Sequence, residues 1–245
     1  MFKSVLTALA FIATFSLAAC DSAEEKAEAF YQSGLELLAA GDPERASVEF
    51  RNVFQYNGEH QDARRQLAQI LQAQGNVSGA YSQYLRLIEQ YPNTAPVRLI
   101  LAELAVQRGD WDEVERHGTA AAELVPDDPR SRAITAGLAY REALREENTD
   151  GIDAAVAEAR AVLETAPDNV VARRLVIAAL LEGYTPGAAL PELDAILERE
   201  PNSLEMHIAK FRVLLELGRD DEAGAQLQVM FERFPENENV RTSLL

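Results

Sequence analysis

Few side chains in this chain could do chemistry, and their spacing decides what they can do. There are 3 histidines, His60, His117 and His207, and 1 cysteine, Cys20. A metal site needs three or four His, Cys or carboxylate ligands brought to one point. The single pairing at ligand spacing is Glu113 with His117, one helical turn apart on one face, and it has no further partner in register. A nucleophile-elbow G-x-S-x-G, a phosphate-binding glycine loop, a dinucleotide fingerprint and a cysteine–histidine pairing are all missing. The 40 Asp and Glu residues could supply a pair for acid–base work by coincidence, but helix faces rich in them are ordinarily solvated. The histidines therefore read as structural: His60 at a helix start, His117 on a helix, His207 at a packing position. Trp111, directly after Gly109-Asp110, reads as packing at a turn. The expectation is a protein that is not an enzyme and holds no cofactor and no metal.

What positions these residues is a period. Pro92, Pro126, Pro167, Pro201 and Pro235 stand 34, 41, 34 and 34 residues apart, and Gly58 lies 34 before the first. A fixed period near 34 without strand-like alternation means one helix-turn-helix unit repeated, because each hairpin must bury its apolar face against the next. With Ala27 as the first position, residue classes return at fixed offsets. The eighth is small (Gly34, Ala68, Ala102, Ala136), where two helices approach closely. The fifteenth is Gly41, Gly75, Gly109 and Gly218, the left-handed residue that ends a first helix. Asp42, Asn76 and Asp110 follow as N-caps of second helices. The twentieth is Ala46, Ala80, Ala155, Ala189 and Ala223, with Val114 the exception, and the twenty-fourth is large in Phe50, Tyr84, Leu193 and Leu227. Each proline closes a second helix. The fold expected is all-α, a right-handed α-solenoid of about six hairpins, uninterrupted over residues 27–237, with 238–245 starting a further helix.

The period is broken in places. The fourth unit has 41 residues, the excess falling in Tyr140 to Gly151, and two turns' worth of extra chain predicts an extended first helix with a longer, projecting turn. Gly118 stands where a large residue is expected, and Gly183-Tyr184-Thr185-Pro186-Gly187 replaces the turn glycine of the fifth unit.

The offsets of small residue, glycine, alanine, large apolar residue and proline resemble those of the tetratricopeptide repeat family over 27–237. In that family the first helix of each unit lines an inner concave wall, and the second, fifth, ninth and twelfth offsets point into it, one per helical turn. The resemblance thus implies a groove formed by Tyr31, Arg65, Gln69 and Gln72 in the early units, by Leu99, Glu103, Arg130 and Tyr140 in the middle, and by Arg174 and Arg212 near the end. Four arginines on the wall of a chain with net charge −17 leave two uses open. Guanidinium forks suit carboxylates of an extended acidic peptide, and they equally suit neighbouring glutamates along the solenoid.

The N-terminus supplies an address. Lys3 precedes an apolar stretch from Val5 to Leu17 that is short for a bilayer span, and Leu17-Ala18-Ala19-Cys20 resembles the lipobox of bacterial lipoproteins. That resemblance implies a signal peptide at 1–19 and a lipid-bearing Cys20, followed by a polar tether through residue 26. It places the chain at the periplasmic face of the cell membrane or the outer membrane. The segments Gly34 to Leu38, Gly41-Asp42, Val48 to Val53 and Asp62-Ala63-Arg64 are similar to the opening of tetratricopeptide lipoproteins that accompany exosortase and PEP-CTERM systems. The function implied is a scaffold joining envelope proteins, in exopolysaccharide or protein sorting, with self-association as a further possibility. The alternatives are a polysaccharide-binding subunit and an adaptor for peptidoglycan hydrolases or outer-membrane assembly. The acidic balance opposes adsorption to nucleic acid or anionic lipid.

Overall fold

The computed structural model describes residues 22–183 and 185–242, and among these every regular element is a helix. Cys20 and its flanking lipobox lie outside the described residues. The chain divides into two compact units, one ending at Pro92 and the other starting at Asn93. The first contains hairpins α1 (Ala23–Ala39) with α2 (Pro43–Val53), and α3 (Gln61–Ala73) with α4 (Val77–Gln90). The second contains α5 (Ala95–Arg108) with α6 (Trp111–Leu124), α7 (Pro129–Arg145) with α8 (Thr149–Thr165), α9 (Val170–Glu182) with α10 (Pro186–Arg199), and α11 (Leu204–Glu216) with α12 (Asp220–Arg233), then α13 (Glu238–Thr242). The six hairpins and the further helix are those expected from the period; the boundary at Pro92 is not. Cohesion in a repeat array is between nearest hairpins only, so a division falls naturally at a linker between hairpins.

The first helix also starts earlier than expected. Ser22 forms a reciprocal capping box with Glu25, each backbone N–H donating to the other's side chain at 2.7 and 3.2 Å. Residues 23–26 are therefore helix rather than tether.

The offset rules are met in detail. Gly41, Gly75, Gly109 and Gly218 all have φ between 67° and 77°, and Asp42, Asn76 and Asp110 accept from the backbone N–H three residues on. At the small position a Cβ on Gly34 would stand 2.6 Å from the ring of Phe50. Gly118 has a similar reason: its missing Cβ makes room for Ile134 of the next hairpin, which would otherwise be 2.4 Å away. The large residue absent from α6 is thus supplied by α7.

The seven extra residues do not project as a long turn. α7 and α8 have 17 residues each against 14 for α5 and α6, and the turn between them has three against two, which absorbs all seven. Both helices grow by nearly one turn. Where other hairpins place glycine, this one places Glu147 at φ 54°.

Successive hairpins are joined by a repeated polar contact. Three residues into α3, α9 and α11, a long donor reaches back six residues to the preceding linker and forward to the second helix. Arg64 donates to the Gly58 carbonyl and to Gln83 Oε1. Arg173 does so to the Pro167 carbonyl and Glu192. His207 stands 2.9 Å from the Pro201 carbonyl through Nε2 and 2.7 Å from the Gln226 amide through Nδ1. Arg132 pairs likewise with Glu158. An Nε2–H donor with Nδ1 accepting from Gln226 is the neutral imidazole, and burial, the largest influence, holds its pKa below the ordinary value.

Two outcomes follow. Glu147→Gly relieves a left-handed non-glycine residue and should raise unfolding free energy by about 1 kcal/mol in urea titration. His207 takes up its proton more readily unfolded than folded, so the stability it contributes is complete above the ordinary imidazole value of 6.5 and is lost as pH falls below it. Unfolding free energy should decline as pH falls below 6.5, with a shallower slope in His207→Asn.

Candidate binding groove

In the second unit the first helices α5, α7, α9 and α11 wall two cavities of about 370 and 520 Å³. Glu103, Arg130 and Arg174 line the smaller; Trp111, Tyr140, Leu181 and Met206 are among those lining the larger, and Val106, Gln107 and Arg174 belong to both.

The arginines here are already engaged. Arg130 forms a two-pronged pair with Glu103, Nε and Nη2 each 2.6 Å from a carboxylate oxygen. Arg174, whose side chain is 12% exposed, lies between Glu200 at 2.6 Å and Glu205 at 2.8 Å. Burial alone would lower its pKa, but the two carboxylates outweigh it and the guanidinium is held charged more firmly than usual. Glu200 also accepts from Gln107 Nε2 at 2.7 Å, so a bonded strap runs from α5 through Glu200 and Arg174 to α11. The acidic-peptide use of these wall arginines gives way to pairing within the chain, the second use the sequence left open. An incoming carboxylate would have to displace one that is already positioned.

Other expected wall residues are distributed differently. Leu99 is 2% exposed and belongs to the core built from α5 to α9, a correction that reflects how the neighbouring helices cover this position. Tyr140 faces the larger cavity with a ring only 5% exposed, and its hydroxyl donates to Glu182 at 2.6 Å; burial first, then that carboxylate, raises its pKa. Arg212 is exposed, lines neither cavity and has no ion pair among the described residues. Tyr31, Arg65, Gln69 and Gln72 lie in the first unit. There Tyr31 packs on His60 and Phe50, with ring centroids at 4.7 and 5.9 Å. Arg65 pairs with Asp62 on its own helix, Gln69 is exposed, and Gln72 accepts from the Tyr84 hydroxyl at 3.2 Å.

Four contributors escaped the sequence reading. Val106 and Glu205 stand at the twelfth and second offsets, so the offset rule itself contained them. Gln107 and Glu200 meet across 93 positions and carry no local signal. Trp111 is more than packing, because it lines the larger cavity with the Arg141 guanidinium 4.3 Å from its ring centroid. The histidines are structural as expected: His60 caps α3 through Nδ1, and fully buried His117 has Nε2 3.0 Å from Glu113. No group of three potential metal ligands occurs among the described residues.

Comparison with known proteins adds the following. A family model described as a tetratricopeptide repeat matches residues 37–96 and 180–244. No curated protein matches in sequence. Among solved structures, the Cut9–Hcn1 hetero-tetramer of the APC/C is similar at TM-score 0.63 and 16% identity, over 89% of this chain and 42% of that one. This chain therefore spans less than half the length of that relative. PilW, a type IV pilus biogenesis factor, is similar at TM-score 0.54 and 14% identity, over 89% of this chain and 98% of its own. Pseudomonas aeruginosa pilF is similar at 0.51 and 16%, over 91% and 98%. At these identities the likeness is one of fold.

If the groove arginines serve the fold, Arg174→Met should leave Glu200 and Glu205 crowded without their cation and lower unfolding free energy by about 2–4 kcal/mol. Arg65→Met, removing an exposed pair, should cost under about 1 kcal/mol. Equal losses by denaturant titration would contradict the assignment.

Proposed function

The chain belongs to the tetratricopeptide repeat family, and from that premise we propose that it is an adaptor anchored by lipid at Cys20 and facing the periplasm, which grips a segment of another envelope protein in the groove of its second unit. The observation that carries the gripping role is the pair of adjoining cavities walled by α5, α7, α9 and α11, with apolar and polar surface in one channel. Sites for macromolecular segments combine apolar area with a few fixed polar groups.

Support for the address is the order of Lys3, the apolar stretch to Leu17 and the run Leu17-Ala18-Ala19-Cys20. Two acyl chains at roughly 0.8 kcal/mol per buried CH₂ would hold such a protein firmly at a membrane. Among the described residues no helix is long and apolar enough to cross one. Within this class the similarity of the first two repeats to exosortase-associated lipoproteins favours exopolysaccharide or protein sorting. The fold likeness to PilW and pilF assigns no pathway. A polysaccharide-binding role would favour aromatic platforms at regular intervals, whereas the larger cavity offers Trp111 and Tyr140, the latter nearly buried.

Two measurements test this reading. Cys20→Ser should move the protein from the membrane to the soluble fraction of its host, and unchanged fractionation would remove the anchor. A photoreactive residue in place of Arg141 or Ala178, both at the larger cavity, should give adducts to one or a few proteins. Adducts to none would remove the adaptor role.

A further inference from the structure

The two long edges of the groove in the second unit differ in chemistry. Along the edge formed by the linkers between hairpins, the two arginines that line the cavities are paired: Arg130 with Glu103, and Arg174 with Glu200 and Glu205. Along the edge formed by the turns within hairpins, the twelfth-offset residues of successive first helices are Val106, Tyr140, Leu181 and Leu215. This row is apolar and opens toward its end: Val106 and Tyr140 are buried at 9% and 5% exposure, Leu181 is half-buried and Leu215 is 48% exposed, with Leu144 at 36% and Leu217 at 41% beside it. The larger cavity reaches this edge, since its lining includes Gly109 from a turn and Arg108, Leu144 and Glu182 from the helix ends beside the turns.

Outside the apolar row the turn edge is anionic. Asp112, Glu146, Asp150, Glu216, Asp220 and Asp221 are exposed and carry no ion pair among the described residues. The arginines there are occupied: Arg108 lies 3.1 Å from Asp110, Arg145 pairs with Glu142 and Arg219 with Glu222, while Arg141 covers the Trp111 ring. An apolar row that lines the cavity at Val106 and Tyr140 and is open at Leu215, bordered by free carboxylates, suits an occupant that is apolar on one face and cationic beside it. Where successive first helices touch, as α5 with α7 and α7 with α9 do, helix axes lie about 8–10 Å apart, close to the roughly 10.5 Å of two turns of one helix. Apolar residues at i and i+7 of a single helix therefore fall in step with the row.

Building on the adaptor reading, we propose that the segment held at this edge is a cationic amphipathic helix of a partner protein, its apolar face over Val106, Tyr140, Leu181 and Leu215 and its Lys or Arg side chains against the turn carboxylates. An acidic peptide finds Arg130 and Arg174 already paired and meets the turn carboxylates, against which Arg141 and Arg212 are two cations, and an anionic membrane surface meets the same carboxylates.

Trp111 is the only tryptophan of the chain and lines the larger cavity, so its emission reports occupancy. The full chain is titrated with three tryptophan-free 18-residue peptides: an amphipathic Leu/Lys helix, its Leu/Glu counterpart, and a scrambled Leu/Lys sequence without an apolar face. The amphipathic Leu/Lys peptide should shift the emission and bind at least about tenfold more tightly than either control. Leu215→Asp, or Glu216→Lys with Asp221→Lys, should weaken it about tenfold or more, all three positions being exposed and so compatible with folding. Glu164→Lys with Glu198→Lys, at the linker edge, should not. Equal binding of the scrambled or Leu/Glu peptide, or equal loss at the two edges, would overturn the proposal. Protein adducts from position 141 or 178 alongside such a result would leave the adaptor reading standing and remove only this class of partner.

Discussion

A repeat array has no long-range cohesion beyond the joint between one hairpin and the next, so the contact that fixes this joint governs everything built on it. In this protein that contact is polar. A donor three residues into a first helix holds the preceding linker carbonyl with one end and the second helix of its own hairpin with the other, as Arg64, Arg173 and His207 do. Linker carbonyls beside a proline or glycine have no helical partner, and burying one unsatisfied costs about 1–3 kcal/mol. One side chain therefore satisfies the loop and sets how the next hairpin is placed. Where it is histidine, the same joint works only in the neutral form, which gives the last full hairpin a dependence on pH that the arginine joints lack.

The same economy governs the groove. A chain with net charge −17 has few cations to spare, and the structure commits them to internal carboxylates at the linkers and along the wall. Arg174 is the clearest case, flanked by two glutamates and tied through one of them to Gln107 on α5. Such a strap stiffens the channel, and it leaves recognition to the groups that remain unpaired. Most of those are apolar side chains and carboxylates on the turn edge, where the unpaired charge is largely negative.

How much of this could be read in the sequence depends on the range of the interaction. Turn glycines, N-caps and crossing alanines each answer a local requirement, and the period displayed them; the structure places them where that logic puts them. The joint was also legible. Arg64, Arg98, Arg132, Arg173 and His207 repeat at the intervals of the prolines, each with a polar residue 19 positions on, or 26 across the insertion. It passed unread because arginines in an acidic chain suggest a ligand before they suggest a linker carbonyl. Leu99 was misplaced because an offset fixes a direction along a helix but not how closely the neighbouring helix covers it. The strap from Gln107 to Glu200 had no signal, since the two come together only through the stacking of the intervening hairpins.

The break in the period and the larger cavity coincide. The first helix of the fourth unit is extended as expected, but most of the remaining excess lengthens α8 rather than the turn; the added turn of α7, residues 143–145, carries Leu144, which lines that cavity beside Tyr140 and Arg141. In the same helix Arg141 lies over Trp111 and the Tyr140 hydroxyl reaches Glu182 of the next hairpin. The cost is local: a left-handed Glu147 where four other turns use a left-handed glycine. Departures from a rule that the rest of a sequence obeys concentrate at sites under another demand. Here the departures in length, in turn residue and in the buried hydroxyl fall on one hairpin, the one that forms the middle of the groove.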